Sequence, residues 1–236
     1  MIARRGVIAA ATVALAGCFA SPGTAAPSAV TRGDSIFPAA GALLVDKIAV
    51  RSAPSPKAHV IKVMDQFRPD FRLQEIFAVS TRTGADGKPW YRISVPMRPN
   101  GVMGWIPAAT AALAPTVSRI VVHIRSRTID IYWHERHALH ALVAVGSPGR
   151  ETPTGHYYVQ ARFVPDDPFL GVFAVETSAY SKMTEWPGGG VVGIHGTSMP
   201  QLLGQAVSHG CVRVANSTAE ALRRYAPLGT PIWITN

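Results

Sequence analysis

The sequence predicts a mainly β protein, a small barrel followed by a larger β-rich sandwich that ends in one short helix. Two observations carry this reading: short apolar segments recur about every ten residues with Pro and Gly between them, and one segment near the C-terminus reads as a helix. The length of 236 residues exceeds one average domain and accommodates one small and one medium domain.

In chain order, Arg4 and Arg5 precede an apolar run from Gly6 to Leu15 that is too short for a membrane span and suits a secretory signal. Residues 1–17 are therefore expected to be a signal peptide, and the protein to be exported to the cell envelope. Leu15-Ala16-Gly17-Cys18 resembles the lipobox of bacterial lipoproteins, which implies lipidation of Cys18 and a membrane anchor. Cleavage after Ala25 or Ala26 is the competing reading, disfavoured after Ala26 by Pro27. The twin arginines also invite export by the folded-protein route. From Ser21 to about Ala40, Ser, Pro, Ala and Gly predominate, so residues 18–41 read as a lipidated N-terminus and linker.

Strands are expected at Leu43–Val50, Val60–Met64, Leu73–Val79 and Trp90–Val95, with a turn at Arg51–Pro56. Val50-Arg51-Ser52-Ala53-Pro54, Trp90-Tyr91-Arg92-Ile93 and Gly101 through Ile106 together resemble a bacterial SH3 domain over residues 42–112. That resemblance implies a spacer or a weak wall-binding module, with Trp90 and Trp105 in the barrel core. Pro115 marks a boundary, and residues 117–236 form the second domain. Its expected elements are a hairpin of Arg119–Ile124 and Thr128–Trp133, strands Leu139–Val145 and Tyr157–Ala161, and a proline-rich substrate-side loop Val164–Gly171. Gly188-Gly189-Gly190 reads as a flexible turn or hinge, Ser217 as the cap of a helix through Tyr225, and Pro231–Thr235 as a last strand.

The chemistry concentrates in Ser208-His209-Gly210-Cys211-Val212-Arg213, with His195-Gly196-Thr197 upstream. A thiol attacks a carbonyl as its thiolate and needs a nearby base or cation, which two histidines offer. Gly210 permits a tight turn where backbone N–H groups can face an oxyanion. A structural cysteine with satisfied histidines is the plain alternative, and a zinc centre of His195, His209 and Cys211 is a third reading.

The wider run from Gly193 to Val214, with Pro200, Gly204 and Val207, resembles the L,D-transpeptidase catalytic domain, also called YkuD. Val145-Gly146, Thr152-Pro153-Thr154-Gly155 before Tyr157, and Ser178-Ala179-Tyr180-Ser181 agree with it. The resemblance covers about residues 117–236 and implies Cys211 as nucleophile paired as thiolate with His195 as imidazolium base. It further implies that the Gly196 carbonyl orients the imidazole and that the N–H groups of Gly210 and Cys211 form the oxyanion hole. Ser208, His209, Thr197 and Tyr180 would shape the substrate site, and Arg213 would grip a substrate carboxylate or form a structural ion pair. The expected reaction is a two-step transfer on peptidoglycan tetrapeptide stems with loss of D-alanine, or hydrolysis as an L,D-carboxypeptidase. No metal or organic cofactor is implied, and carbapenem-type β-lactams are implied as inhibitors acting at Cys211.

Composition narrows the partners. The formal charge of +9 falls to +7 without Arg4 and Arg5, and no basic run of five or more occurs, so an envelope role is favoured over nucleic acid. Cys18 and Cys211 are the two cysteines, and no disulfide is expected between a signal segment and a reactive site. Two non-identical readings compete with the transferase. A wall hydrolase of the NlpC/P60 type would have its cysteine before its histidine, and a non-enzymatic wall-binding lipoprotein would not need Cys211 and His195 together.

Overall fold

The computed structural model describes residues 36–185 and 189–236. The expectations for residues 1–17, for Cys18, for most of the linker and for Gly188 lie outside the described residues. Among those described, sixteen strands form two sheets beside one α-helix, in agreement with the mainly β prediction. No helix of the described residues is long and apolar enough to cross a membrane.

The first sheet holds β1 (Ala39–Leu43), β2 (Lys47–Arg51), β3 (Val60–Asp65), β4 (Glu75–Thr83), β5 (Pro89–Ser94), β6 (Met103–Pro107) and β7 (Ala111–Pro115). Its order is β3-β2-β6-β5-β4-β1-β7, with every pairing antiparallel. Leu43, Val50, Met64, Ile76, Ile93 and Ile106 supply the core. Trp90 is fully buried and donates its indole N–H to Asp86 Oδ1 at 3.0 Å, as a buried Trp requires, whereas Trp105 is only half-buried.

The second sheet holds β8 (Ser118–His123), β9 (Thr128–Trp133), β10 (Arg136–Gly146), β11 (Gly155–Phe163), β12 (Ala174–Tyr180), β13 (Val191–His195), β14 (Ala206–Ser208), β15 (Val212–Val214) and β16 (Pro231–Thr235). Alternation builds it: Ile120, Val122, Ile129 and Ile131 point inward, and Arg119, Asp130 and Tyr132 do not. Each fully buried Ile or Val contributes about 1.5–3 kcal/mol relative to exposure. The eleven-residue β10 joins both ends of the sheet. Its first half pairs with β9 and its last residues with β15 and β14, so the strand order closes into a ring. Helix α1 (Asn216–Tyr225) lays Ala219 and Leu222 into the same core.

Four boundaries differ from expectation. Leu43–Val50 is two strands, because Leu44–Asp46 turns outward with Leu44 exposed and its N–H bonded to Thr110 O. The linker ends before residue 39, since Ala39–Leu43 is held between β4 and β7. Pro115 closes β7 rather than standing in a linker, with β8 beginning at Ser118. Ser217 lies inside the first turn of α1, whose N-cap is Ala215 with no side-chain cap; Asn216 Oδ1 instead accepts the Thr197 N–H.

The two sheets touch through specific pairs. Phe77 stacks on Tyr158 with centroids 5.1 Å apart, and Arg68 forms an ion pair with Glu176. Asn100 bonds both the N–H and the C=O of Tyr180, at 2.9 and 2.8 Å.

Candidate active site

β13 and β15 run parallel, with Ile194 beside Val212 and His195 beside Arg213. That pairing brings two segments sixteen residues apart into one pocket lined by His195, Ser208, His209, Cys211 and Arg213, with Phe169 and Leu170 from the proline-rich loop. Central strands of this kind are buried on both faces, so His195 is only 3% exposed.

The imidazole is fixed by the backbone. Its Nδ1 lies 2.6 Å from the Gly196 carbonyl, which can only accept, so Nδ1 carries the proton and Nε2 keeps its lone pair in the neutral ring. Burial drives the His195 pKa down to about 4 despite the Gly196 carbonyl, and nearby Arg213 adds to the depression. Burial likewise pushes the Cys211 thiol up, opposed by the Gly193 N–H that donates to Sγ at 3.3 Å and by Arg213. Both shifts favour a neutral thiol beside a neutral imidazole.

The Ser208–Cys211 turn explains two further residues. Ser208 is 1% exposed, donates its hydroxyl to the Cys211 carbonyl at 2.6 Å and accepts the Gly210 N–H at 3.1 Å. Its hydroxyl therefore builds the turn, and the Gly210 N–H expected at an oxyanion is engaged by Ser208 in this state. Gly210 sits at φ +118°, and a Cβ there would come within 2.9 Å of Ser181 Cβ, so glycine is required on both counts. At Gly196 a Cβ would meet Asn216 Oδ1 at 2.2 Å.

The other expected residues divide. His209 is half-buried on the pocket wall, its pKa lowered by burial and by Arg150 and Arg213. The Arg213 guanidinium lies 4.6 Å over the Phe169 ring, and no ion pair of Arg213 occurs among the described residues, contrary to its structural ion-pair reading. Its buried Nε has no hydrogen-bond partner among the described residues. Thr197 is buried and accepts the Met199 N–H, so it is a turn residue outside the pocket. Tyr180 lines the neighbouring groove instead. The zinc trio of His195, His209 and Cys211 is not favoured: the donor atoms that converge within 4.8 Å among the described residues belong to Asp130, His137 and His140.

The pocket around Cys211 encloses only about 30 Å³, whereas the groove beyond Ser181 holds about 650 Å³. Arg98, Asn100, Thr152, Tyr180 and Lys182 line that groove. Sequence reasoning missed its builders. Arg98 donates to the carbonyls of Ser181, Met183 and Gly189 at 3.0, 3.3 and 2.9 Å and stacks on Tyr180. Buried Thr152 accepts the Gly146 N–H and donates to Gly210 O, both at 2.9 Å, tying β10 to the cysteine turn. Its place in Thr152-Pro153-Thr154-Gly155 was a usable signal; Arg98, more than eighty residues from its partners, had none.

Residues 118–234 match the family model of the L,D-transpeptidase catalytic domain, YkuD. Proteins named L,D-transpeptidase YkuD from Bacillus licheniformis and Bacillus subtilis are each 33% identical to this chain, over 118 and 116 residues. These alignments cover 50% and 49% of this chain and 65% and 64% of the relatives, so the chain spans just under two thirds of their length. Among solved structures, an L,D-transpeptidase from Mycobacterium smegmatis is similar at 15% identity and a TM-score of 0.43, over 63% of this chain and 90% of that one. L,D-transpeptidase 3 from Mycobacterium tuberculosis, solved with a faropenem-derived adduct, gives 16% and 0.43 over 63% and 91%. The sequence match spans the strand that bears His195 and the turn that holds Cys211, so residues 118–234 of this chain are similar to the YkuD family of L,D-transpeptidase catalytic domains.

Proposed function

We propose that the chain is a cysteine-dependent L,D-transpeptidase that acts on peptidoglycan tetrapeptide stems. The observation that carries this reading is the convergence of Cys211 and a backbone-oriented, proton-free His195 Nε2 in one pocket. As Cys211 Sγ attacks the carbonyl of the third stem residue, its proton passes to His195 Nε2. The Gly196 carbonyl stabilises the imidazolium so formed, in the manner of a triad's carboxylate. The imidazolium then protonates the departing amine of D-alanine, leaving a thioester on Cys211. The amine of a second stem, or of a protein, attacks the thioester, His195 takes its proton and returns it to sulfur, and a 3-3 crosslink or an attached protein results. Arg213, its charge balanced by no carboxylate among the described residues, would receive the stem carboxylate.

Phe169 and Leu170 close over a space too small for a stem, so substrate entry requires this loop to yield. A thiol in this setting would also open and be acylated by carbapenem-type β-lactams. Residues 1–17 as export signal, Cys18 as lipid anchor and residues 42–112 as an SH3-like module belong to the same proposal, which puts the catalytic domain at the envelope facing the wall. Incubation with purified tetrapeptide muropeptides tests it. Dimers with loss of D-alanine are expected. Tripeptide alone would mean an L,D-carboxypeptidase, and no turnover would leave a wall-binding protein.

A further inference from the structure

The outer face of β8–β9–β10 gathers three histidines around one carboxylate. Asp130 Oδ1 lies 2.7 Å from His137 Nε2 and 2.8 Å from His140 Nδ1, and Asp130 Oδ2 lies 3.2 Å from His123 Nε2. Residues three apart in a regular strand point to opposite faces, so His137 and His140 should not meet. They do because β10 carries a bulge: the register against β9 shifts between His137 and Leu139, so that His137 faces Tyr132 and His140 faces Asp130. A bulge re-aims a side chain, and here it turns His137 onto the Asp130 side. His123 reaches the same face from β8, where it is paired with Thr128.

We propose that Asp130, His137 and His140 form a binding site for a divalent late first-row transition ion such as zinc, with His123 holding the second carboxylate oxygen. The three donor atoms already lie within 4.8 Å of one another, a spacing that ligands about 2.0–2.2 Å from a shared centre can reach with small rotations. Two imidazole nitrogens with one carboxylate suit zinc, copper or nickel, whereas calcium and magnesium call for oxygen ligands throughout. The supporting contacts are present. Thr235 Oγ1 lies 3.3 Å from His123 Nδ1, which directs His123 Nε2 at the carboxylate. Asp130 has only 14% of its side chain exposed, while His137 and His140 keep about half of theirs open to an arriving ion. On binding, the ion takes the place of the ring protons that now face Asp130, and each imidazole coordinates as the neutral tautomer that carries its proton on the other ring nitrogen. The ion would clasp β9 to β10 and stabilise the folded state by mass action.

Calorimetric titration of the untagged full chain with zinc chloride tests this, read beside thermal unfolding with and without zinc. A one-to-one isotherm is expected, unchanged in Cys211→Ala, weakened at least about tenfold in Asp130→Asn, His137→Ala and His140→Ala, and unmoved by excess calcium. Zinc should raise Tm in the parent and in Cys211→Ala but not in the three site variants. Absence of binding would overturn the proposal, as would displacement by calcium. Binding lost in Cys211→Ala but kept in His137→Ala would overturn it too, by moving the ion to the thiol pocket. Should His137→Ala fail to fold, Asp130→Asn, which keeps side-chain size, decides.

Discussion

Two groups of histidines occupy the same sheet, and their surroundings give them opposite chemistry. His195 is buried against a backbone carbonyl with a thiol close by, while His123, His137 and His140 sit partly exposed around a carboxylate. A carbonyl orients an imidazole without adding a charge, so burial keeps His195 neutral and available to accept one proton. A carboxylate supplies an anionic oxygen and convergent donors, an arrangement for cations rather than for a transient proton. The same residue type thus meets two environments in one sheet, in which β10 pairs with β9 along its first half and, near its end, with β15, the neighbour of β13.

The sharpest way to break this comparison is Cys211→Ala, which should abolish the acyl adduct while leaving Tm and zinc uptake intact; turnover in that variant would remove the pocket from the chemistry. His195→Ala should lower kcat/KM by about 10²–10⁴-fold, and His209→Ala by much less; the reverse order would name the other histidine as base. Because free-enzyme groups govern kcat/KM, its acid limb should fall near pH 4, and a limb near 6.5 would mean an exposed base.

Stability against pH tests the burial argument in both directions. His195 has a folded pKa of about 4, below its ordinary 6.5, so the unfolded chain takes up more protons in this window. Its contribution, on the order of 3 kcal/mol, is full above about pH 6.5 and is lost as the pH falls towards 4. Glu75 behaves oppositely: burial raises its pKa from 4.5 to about 7, so stability declines as pH rises through that range. Glu75→Gln should therefore raise Tm at pH 8 and change it little at pH 4.5, and urea unfolding across pH would show it. No gain at pH 8 would contradict the burial cause.

Smaller effects come from the groove and the outer face. Arg98→Ala removes the donor to Ser181, Met183 and Gly189, and should raise KM more than it lowers kcat, with a loss of about 1–2 kcal/mol in stability. Asp130→Asn should leave turnover in metal-free buffer unchanged, and a drop would tie the two histidine groups together.

The cysteine site was legible because its determinants are local: His195 ends a short strand, Cys211 lies immediately before the strand paired with it, and the Ser208–Cys211 turn sits within four residues. The strand positions followed from alternation, most fully at Thr128–Trp133 and Pro231–Thr235. What stayed hidden depends on three-dimensional register. The bulge that reunites His137 with His140 leaves no mark in His137-Ala138-Leu139-His140, and strict alternation predicts the wrong face. Arg98 and Asn100 acquire their partners only when the first sheet meets the second. Ser217 looked like a cap by residue type, yet Asn216 was recruited to the Thr197 turn one position earlier.

The central claim is that the acyl group of the stem passes through Cys211. Intact-protein mass spectrometry after rapid mixing with tetrapeptide muropeptide, followed by peptide mapping, reads this directly. A transient adduct with the mass of the stem less D-alanine is expected on the peptide that contains Cys211, absent from Cys211→Ala. An adduct mapping elsewhere, or one that persists in Cys211→Ala, would contradict it.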